Sequence, residues 1–272
     1  YLHRGMEKHS ENSTYTQVIP YTDRLNYCSP LMNNIGYCKA VEKSLAIEIP
    51  DRAKVIRVII AELSRIIDHQ VAIAANLVDM GALTNFWYFF NVREDVYEIL
   101  EKLTGARMMC SYTRVGGLVR DLYQGFEGDV REVLKTVRQS IKDVKGLVAK
   151  NRIFIERTKG IGAISPERAI SYGWTGPCLR ACGINHDLRK KEPYYFYDEF
   201  NFDIPLGQNG DAYDRFFVRW GEMEQSCRII EQALKKLPGG DVLVKDPCIA
   251  LPLKSEVYGS IEGLMNHFKL VI

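Results

Sequence analysis

The spacing of apolar positions predicts helices along most of the chain. Apolar residues recur at intervals of three and four over 31–46, and Ile49, which precedes a proline, ends this first pattern. The next segment, 51–80, contains neither glycine nor proline, so we predict one helix about 40 Å long. Its apolar residues surround most of its circumference, which is typical of a helix at the centre of a fold.

Four later segments carry the same helical spacing. We predict helices over 86–105, 130–155, 213–237 and 254–270, the second of them on the surface because one of its faces is heavily charged. The stretch 160–205 is rich in glycine, proline and aromatic residues, and it predicts ordered loops with a small sheet.

These elements predict a mainly α fold with small β segments, in the α+β class, and one domain over 1–272. Within it we expect a central helical core over 31–158, a loop and small-sheet region over 160–210, and C-terminal helices over 211–272. A chain of 272 residues is long enough to bury a sizeable core.

Composition and charge exclude several classes. Apolar residues make up 46% of the chain, which excludes disorder, and a net charge of +2 indicates no nucleic-acid partner. No apolar run approaches the ~18–20 residues that cross a bilayer. Seven cysteines without a CxxC pair favour free thiols over a disulfide framework. The chain begins with Tyr1 instead of methionine, so we expect it to be truncated.

Motifs that would indicate a nucleotide or zinc enzyme are absent from the sequence. It contains no GxGxxG after a strand, no GxxxxGK[ST], no HExxH, no GxSxG and no Cys/His set at zinc spacing. The sequence therefore gives no motif-based indication of such chemistry.

A polar stripe on the long helix is the first candidate for chemistry. Its members are Glu62, Arg65, His69, Asn76 and Asp79, which fall within an arc of about 100°. One interpretation is a solvated face. The other is a buried stripe whose charges are paired, because an unpaired buried charge costs ~3–5 kcal/mol. A buried stripe would suit an internal proton path or a polar ligand site.

Two segments near the start carry the second candidate. Arg4 lies in HRGMEK and Arg24 in YTDRLNYC. Taken alone, each segment is consistent with a turn followed by the start of a helix, with structural ion pairs.

Long blocks of the sequence resemble a known family. They are YLHRGMEK, YTDRLNY, AVEKSL, RAKVIRVIIAELSR, DMGALTNFWYFF, REDVYEILEKLTGARM, GWTGPCLRACGINHDLRK and FDIPLGQNGDAYDR. In this order they closely resemble the hydrogenase-like, quinone-site subunit of respiratory complex I, known as the 49-kDa or D type, which is related to [NiFe]-hydrogenase large subunits. The resemblance covers essentially the whole chain. It implies a hydrogenase-large-subunit-like helical bundle, truncated at both ends.

The resemblance implies roles for particular residues. Tyr27 matches the tyrosine that hydrogen-bonds the quinone carbonyl. Asp79 matches an aspartate that pairs with a histidine not included in this chain and relays charge toward the membrane arm. Arg4 and Arg24 match arginines near the terminal iron-sulfur cluster. We expect the remaining stripe residues to form a proton path; they are Glu62, Arg65 and His69.

The resemblance also implies cofactors, partners and location. Quinone would be the substrate, the terminal 4Fe-4S cluster would lie in the adjacent small subunit, and NADH and flavin would bind other subunits. We expect no metal bound by this chain and no transmembrane segment. The partners would be the other complex I subunits, including the membrane arm. The location would be peripheral, on the cytoplasmic face of a bacterial plasma membrane or the matrix face of the mitochondrial inner membrane.

One position departs from the family. A histidine commonly follows the Arg-Met pair, whereas here Met109 follows Arg107 and Met108. Methionine binds no proton, so we expect weakened proton coupling at that position.

Two alternatives stay open. A catalytic large subunit of an energy-converting [NiFe]-hydrogenase would need two CxxC motifs. A helical scaffold would use Tyr27 and Asp79 only as polar residues of its core.

Overall fold

The structure is a computed structural model, and it describes residues 5–245, 256–263 and 267–271. Within these ranges the chain forms eleven α-helices, one 3₁₀ turn and two separate two-stranded sheets. The first five helices are α1 (Met6–Glu11), α2 (Tyr15–Asp23), α3 (Pro30–Ser44), α4 (Asp51–Asp79) and α5 (Leu83–Thr104). The others are α6 (Phe126–Val148), α7 (Arg152–Thr158), α8 (Pro166–Ser171), α9 (Gly176–Ala181), α10 (Leu188–Lys191) and α11 (Ala212–Lys236). The strands are β1 (Thr113–Arg114), β2 (Gly117–Leu118), β3 (Glu256–Ser260) and β4 (His267–Val271), and the 3₁₀ turn is Tyr197–Glu199.

Helix α4 is the centre of the fold, as its all-round apolar surface predicts. It packs against α11 on one side and α5 on another, and α5 in turn packs against α6. Its apolar residues from Ala53 to Leu77 are almost all buried, and they join the main hydrophobic core and a second aromatic cluster around Trp220. The predicted bounds, 51–80, agree with the observed helix within one residue.

Helix α5 begins three residues before its predicted start. Gly81 turns the chain with a φ of 90°, and Leu83 then opens the helix. Gly105 ends it in the left-handed conformation (φ 84°), the usual glycine stop. The aromatic run after Leu83 therefore lies inside a helix whose inner face is buried at Phe89.

The segment predicted as one helix over 130–155 forms two. Helix α6 begins earlier, at Phe126, and ends at Val148. Asn151 then caps α7, its side-chain oxygen accepting the amides of Ile153 and Phe154. Asparagine competes with helical hydrogen bonding in this way, which is the physical reason for the break.

The small sheet predicted over 160–205 is wrong. The structure has α8, α9, α10 and the 3₁₀ turn there, with no strand within 160–210. Proline after a capping residue starts α8, where the Ser165 side chain accepts the amide of Arg168. Single-turn helices of this kind have no periodic apolar pattern, so composition alone did not distinguish them from short strands.

The last predicted helix, 254–270, is also wrong wherever the structure describes it. Strands β3 and β4 form an antiparallel hairpin, with Val257 opposite Leu270 and Gly259 opposite Phe268. Residues 254–255 and 264–266 of the predicted helix lie outside the described ranges. Gly259 disfavours a helix, and here it allows close packing, because a Cβ atom on it would lie 2.8 Å from Cβ of Ala40 in α3.

The fold class predicted from the sequence is confirmed: the protein is mainly α with a few short strands. Among the described helices, none is both long enough and apolar enough to span a bilayer.

Candidate functional site

Tyr27 lies on a turn between α2 and α3 that is anchored to the central helix. The side-chain amide of Asn26 donates to the hydroxyl of Ser29 (2.6 Å) and to the carboxylate of Asp68 in α4 (3.2 Å). Tyr27 itself is 59% exposed, and its hydroxyl has no hydrogen-bond partner within the described ranges. The structure therefore presents a free phenol on a firmly held turn.

Aromatic and charged groups surround this turn. Burial, with a further contribution from the Asp68 carboxylate, raises the pKa of the Cys28 thiol. The guanidinium of Arg93 lies 4.0 Å from the ring centre of Phe90 and 5.1 Å from that of Tyr97. The Arg93 guanidinium, whose charge also acts on the Cys28 thiol, is thus packed against these aromatic rings near the turn.

Arg24 lies at the end of α2, beside a buried acid. Its Nη1 donates to the carbonyl of Pro20 (2.7 Å) and lies 3.6 Å from Oδ2 of Asp23. Burial raises the pKa of Asp23 to about 6, although Asn34 and Arg24 act in the opposite direction. Sequence reasoning missed Asp23, because its position next to Arg24 in YTDRLNY gives no sign that it is fully buried. Arg4 lies outside the described residues.

The segment containing Met109 has an unusual backbone. Met109 and Ser111 both have positive φ angles, 55° and 37°, although neither is glycine. Non-glycine residues in this region are strained, and such strain is often found at functional sites. The side chain of Met109 in this segment is half-buried.

Asp79 is exposed at the C-terminal end of α4. It makes no hydrogen bond or ion pair with any residue that the structure describes. The turn of Tyr27 is anchored at Asp68, and the helical rise of about 1.5 Å per residue places Asp79 about 16 Å further along the axis. Tyr27 and Asp79, the two residues predicted to be catalytic, therefore lie beside different parts of α4.

The polar stripe divides into two parts. Glu62, Arg65 and His69 are buried, whereas Asn76 and Asp79 are exposed. Both interpretations of the stripe therefore apply, each to one end of the helix.

Glu62 is the most heavily bonded member of the stripe. It accepts from Arg65 (3.1 Å) and Arg189 (3.2 Å), and the hydroxyls of Tyr197 and Ser226 each donate to it at 2.6 Å. Burial alone would raise its pKa, but the two guanidiniums and the two hydroxyls lower it to about 2. Glu62 is therefore ionised at neutral pH.

A second buried carboxylate binds His69. Nε2 of His69 lies 2.7 Å from Oε2 of Glu222, and the other oxygen of Glu222 accepts from Arg180 (2.7 Å). Arg180 also donates to Glu262 (2.8 Å), whose other oxygen accepts the amide of Leu188 (2.9 Å). Burial opposes ionisation of Glu222, yet Arg180 and His69 together hold its pKa below the usual range.

Asp187 and Arg189 join these two centres into one buried network. Arg189 donates to both Asp187 (2.7 Å) and Glu62, and Arg180 lies 3.8 Å from Asp187. The network consists of four carboxylates (Glu62, Asp187, Glu222, Glu262), three guanidiniums (Arg65, Arg180, Arg189) and His69. The Nδ1 atom of His69 is buried without a partner among the described residues.

Sequence reasoning missed most of this network. The residues it missed are Arg180, Asp187, Arg189, Glu222 and Glu262. They come from α9, the α9–α10 loop, α10, α11 and the segment after β3, so no local spacing relates them to α4. The described residues contain no group of three His, Cys, Asp or Glu side chains arranged to hold a metal ion, and the six cysteines among them are free.

Comparisons with known proteins give a consistent result. The family model of the respiratory-chain NADH dehydrogenase 49 kDa subunit matches residues 79–272. The chain is 56% identical to the C/D-type NADH-quinone oxidoreductase subunit of Bdellovibrio bacteriovorus, over the whole chain and 49% of that protein. It is 51% identical to the D-type subunit of Myxococcus xanthus, over the whole chain and 66% of that protein. For the D-type subunit of Geobacter sulfurreducens the identity is 51%, over 99% of the chain and 69% of that protein.

The chain thus spans from about half to about two thirds of the length of these curated relatives. The family model itself covers well over half of the chain, including α5, α11 and the C-terminal hairpin. The chain belongs to the family of the 49 kDa subunit of respiratory-chain NADH dehydrogenase.

Proposed function

We propose that this chain forms one wall of the quinone-reduction cavity of a proton-pumping NADH:quinone oxidoreductase and acts only within that complex. The observation that carries the proposal is the exposed phenol of Tyr27, whose hydroxyl has no partner within the described ranges although its turn is anchored to α4. Relatives named NADH-quinone oxidoreductase subunits support it. A free donor on a rigid support is what a quinone carbonyl requires.

The reaction reduces quinone to quinol with two electrons and two protons. The electrons would come from NADH through flavin and iron-sulfur clusters in other subunits, the last a 4Fe-4S cluster in the neighbouring small subunit. Tyr27 would donate a hydrogen bond to one quinone carbonyl and so stabilise the negative charge that develops on it. Arg24 would face the cluster, where a fixed cation lowers the cost of adding an electron.

The buried network would respond to this change of charge. Glu62 and Arg65 would act as fixed charges, because the low pKa of Glu62 keeps it ionised. His69 would belong to the same proton path, since its Nε2 atom lies 2.7 Å from the buried carboxylate of Glu222. Asp79, exposed at the end of the same helix, would pass the effect to partner subunits of the membrane arm. The protein would thus be peripheral, on the cytoplasmic face of a bacterial membrane or the matrix face of the mitochondrial one.

A helical scaffold without a catalytic role is the second candidate. The saturated bonding of Glu62 favours it for the buried part of the stripe, because four donors to one carboxylate stabilise a fold whatever its activity. It gives no reason for the free hydroxyl of Tyr27.

The test is Tyr27→Phe in the full-length protein within the assembled complex. NADH-driven quinone reduction is compared with NADH oxidation by an artificial acceptor that takes electrons at the flavin. We expect the first rate to fall about tenfold or more, equivalent to ~1.4 kcal/mol of lost transition-state stabilisation, with the second rate unchanged. Tyr172→Phe, which alters an equally exposed tyrosine directly after α8, is the matched control. Two unchanged rates for Tyr27→Phe would favour the scaffold.

A further inference from the structure

A small recess lies between α4 and α11, close to the exposed end of α4. Its volume is about 190 Å³. Ile73 and Phe216 are its buried apolar residues, and Asn76, Arg215 and Arg219 supply its polar groups. Both guanidiniums are only partly buried, so the recess opens to the surface with positive charge on one wall.

Neither arginine has an anionic partner among the described residues. Arg219 donates to the carbonyl of Arg215 (3.1 Å) and to the sulfur of Cys178 (3.8 Å). Arg215 donates to the carbonyls of Gly162 and Gly210. All four acceptors are uncharged. Two positive charges therefore stand on adjacent turns of α11 without compensation.

The two carboxylates at the start of α11 are occupied by backbone amides. Asp211, the N-cap of α11, accepts the amides of Gly160 (2.8 Å) and Asp214 (2.9 Å). Asp214 accepts the amides of Gln208 (2.9 Å) and Asn209 (2.6 Å). Both acids hold backbone amides in place instead of pairing with the guanidiniums. The N-terminal end of α11 adds a partial positive charge of its own near the recess.

We propose that this recess binds the carboxylate side chain of an aspartate or glutamate from a partner subunit. Guanidinium and carboxylate form short, charge-assisted pairs, and Arg219 has donors left over for one. The surroundings favour a protein over a phospholipid headgroup. Ile161, whose carbonyl accepts the first amide of α11, is 54% exposed beside the recess, and the Trp174 ring lies 5.5 Å from Arg215. Protein interfaces combine arginine, aromatic and apolar groups in this way.

This inference goes beyond the quinone site, and it rests on the proposed assembly of this chain into a complex. It identifies a contact with a partner on the face of α4 that carries Asn76, one turn before Asp79. The partner that supplies the carboxylate would therefore also pass close to Asp79.

The test converts the pair into a covalent bond in the assembled complex. Arg219→Lys places an ammonium where the guanidinium stands, and a water-soluble carbodiimide joins an ammonium to a carboxylate only when the two are in contact. We expect a cross-linked peptide pair that joins position 219 to an aspartate or glutamate of another subunit. Arg228→Lys on the same helix is the matched control, since Arg228 pairs with Asp203 of this chain at 2.8 Å and should cross-link only to it.

A second measurement uses Arg219→Gln, which removes the charge. The salt concentration that releases half of the partner subunits should fall about twofold, whereas Arg228→Gln should leave it unchanged. If Arg219→Lys does not assemble, Arg215→Lys takes its place in the cross-linking experiment. The proposal is overturned if position 219 gives no cross-link to another subunit while the control reacts. It is also overturned if removing phospholipid abolishes the difference in salt release, because the anion is then a headgroup phosphate.

Discussion

The polar residues at the two ends of α4 have opposite environments. In the first part of the helix, Arg57 pairs with Glu42 at 2.6 Å, and Glu62 and His69 belong to the buried network. In the last turns, Asn76 and Asp79 face solvent, and Asp79 has no partner among the described residues. The first part of α4 therefore carries charges that pair with other residues of this chain. Asp79, near its end, carries a charge that has no such pair among the described residues.

This difference separates two kinds of contribution. Burying a charge is costly unless its partners are in place, so removing one member of a buried pair should destabilise the fold. An exposed carboxylate costs the folded chain almost nothing, and it gains a role only when another subunit binds next to it. Substitutions at the two ends should therefore affect different measurements.

The largest effect is expected at the centre of the network. Glu62→Ala leaves Arg65 and Arg189 without their shared carboxylate and should lower the free energy of unfolding by about 3–5 kcal/mol. Urea denaturation of the purified chain measures this loss. Glu132→Ala removes an exposed carboxylate that pairs with Lys135 and should change stability by less than about 0.5 kcal/mol. A loss below about 1 kcal/mol for Glu62→Ala would show that the network is not needed for folding.

A pH-dependent effect is expected at Asp23. Its pKa is about 6 in the folded chain and near the ordinary value of 3.8 when unfolded, so the folded state binds the proton more tightly. Stability therefore falls as the pH rises from about 4 to about 7, by up to about 3 kcal/mol from this group. Asp23→Asn cannot ionise, so its stability relative to the wild type should improve over that range.

Denaturation curves at several pH values measure this difference. Asp198→Asn, at an exposed position, is the control and should follow the wild type at every pH. A constant difference between Asp23→Asn and the wild type would mean that the buried carboxyl does not titrate in this range.

A smaller effect is expected from one hydrogen bond of the network. Tyr197→Phe removes the hydroxyl that donates to Glu62 at 2.6 Å and should cost about 2 kcal/mol, because the acceptor is a buried charge. Tyr123→Phe is the matched control, since its hydroxyl donates to the partly exposed Asp129, which water can solvate instead, and should cost less than about 1 kcal/mol. Thermal unfolding of both variants compares the two. Equal losses would mean that burial does not strengthen this bond.

The smallest effect on stability is expected at the other end of α4. Asp79→Asn should change the free energy of unfolding by less than about 0.5 kcal/mol, because the carboxylate has no partner in the described part of the chain. Within the complex it should lower quinone reduction by NADH while the flavin-site rate stays unchanged. A large loss of stability would contradict the division of the helix described above.

The sequence was informative where a single element carries the signal. The absence of glycine and proline from 51–80 predicted the bounds of α4 within one residue, and three members of the polar stripe proved to be buried. The hairpin of β3 and β4 was missed because a short segment with a central glycine gives no clear period. The network was missed because its members meet only through tertiary contacts: Glu262 accepts from Arg65 of α4 and from Arg180 of α9.

The position of Glu262 in the sequence also affects the order of folding. Glu262 binds Arg180 and the amide of Leu188, and its carbonyl accepts from Arg65, so these donors stay unsatisfied until it arrives. A ribosome reaches residue 262 about 10–40 s after residue 62, at synthesis rates of about 5–20 residues per second. During that interval Arg180 lacks one of its buried carboxylate partners, and Arg65 lacks the carbonyl that accepts from it. The part of the core that contains this network therefore closes only after residue 262 has been synthesised.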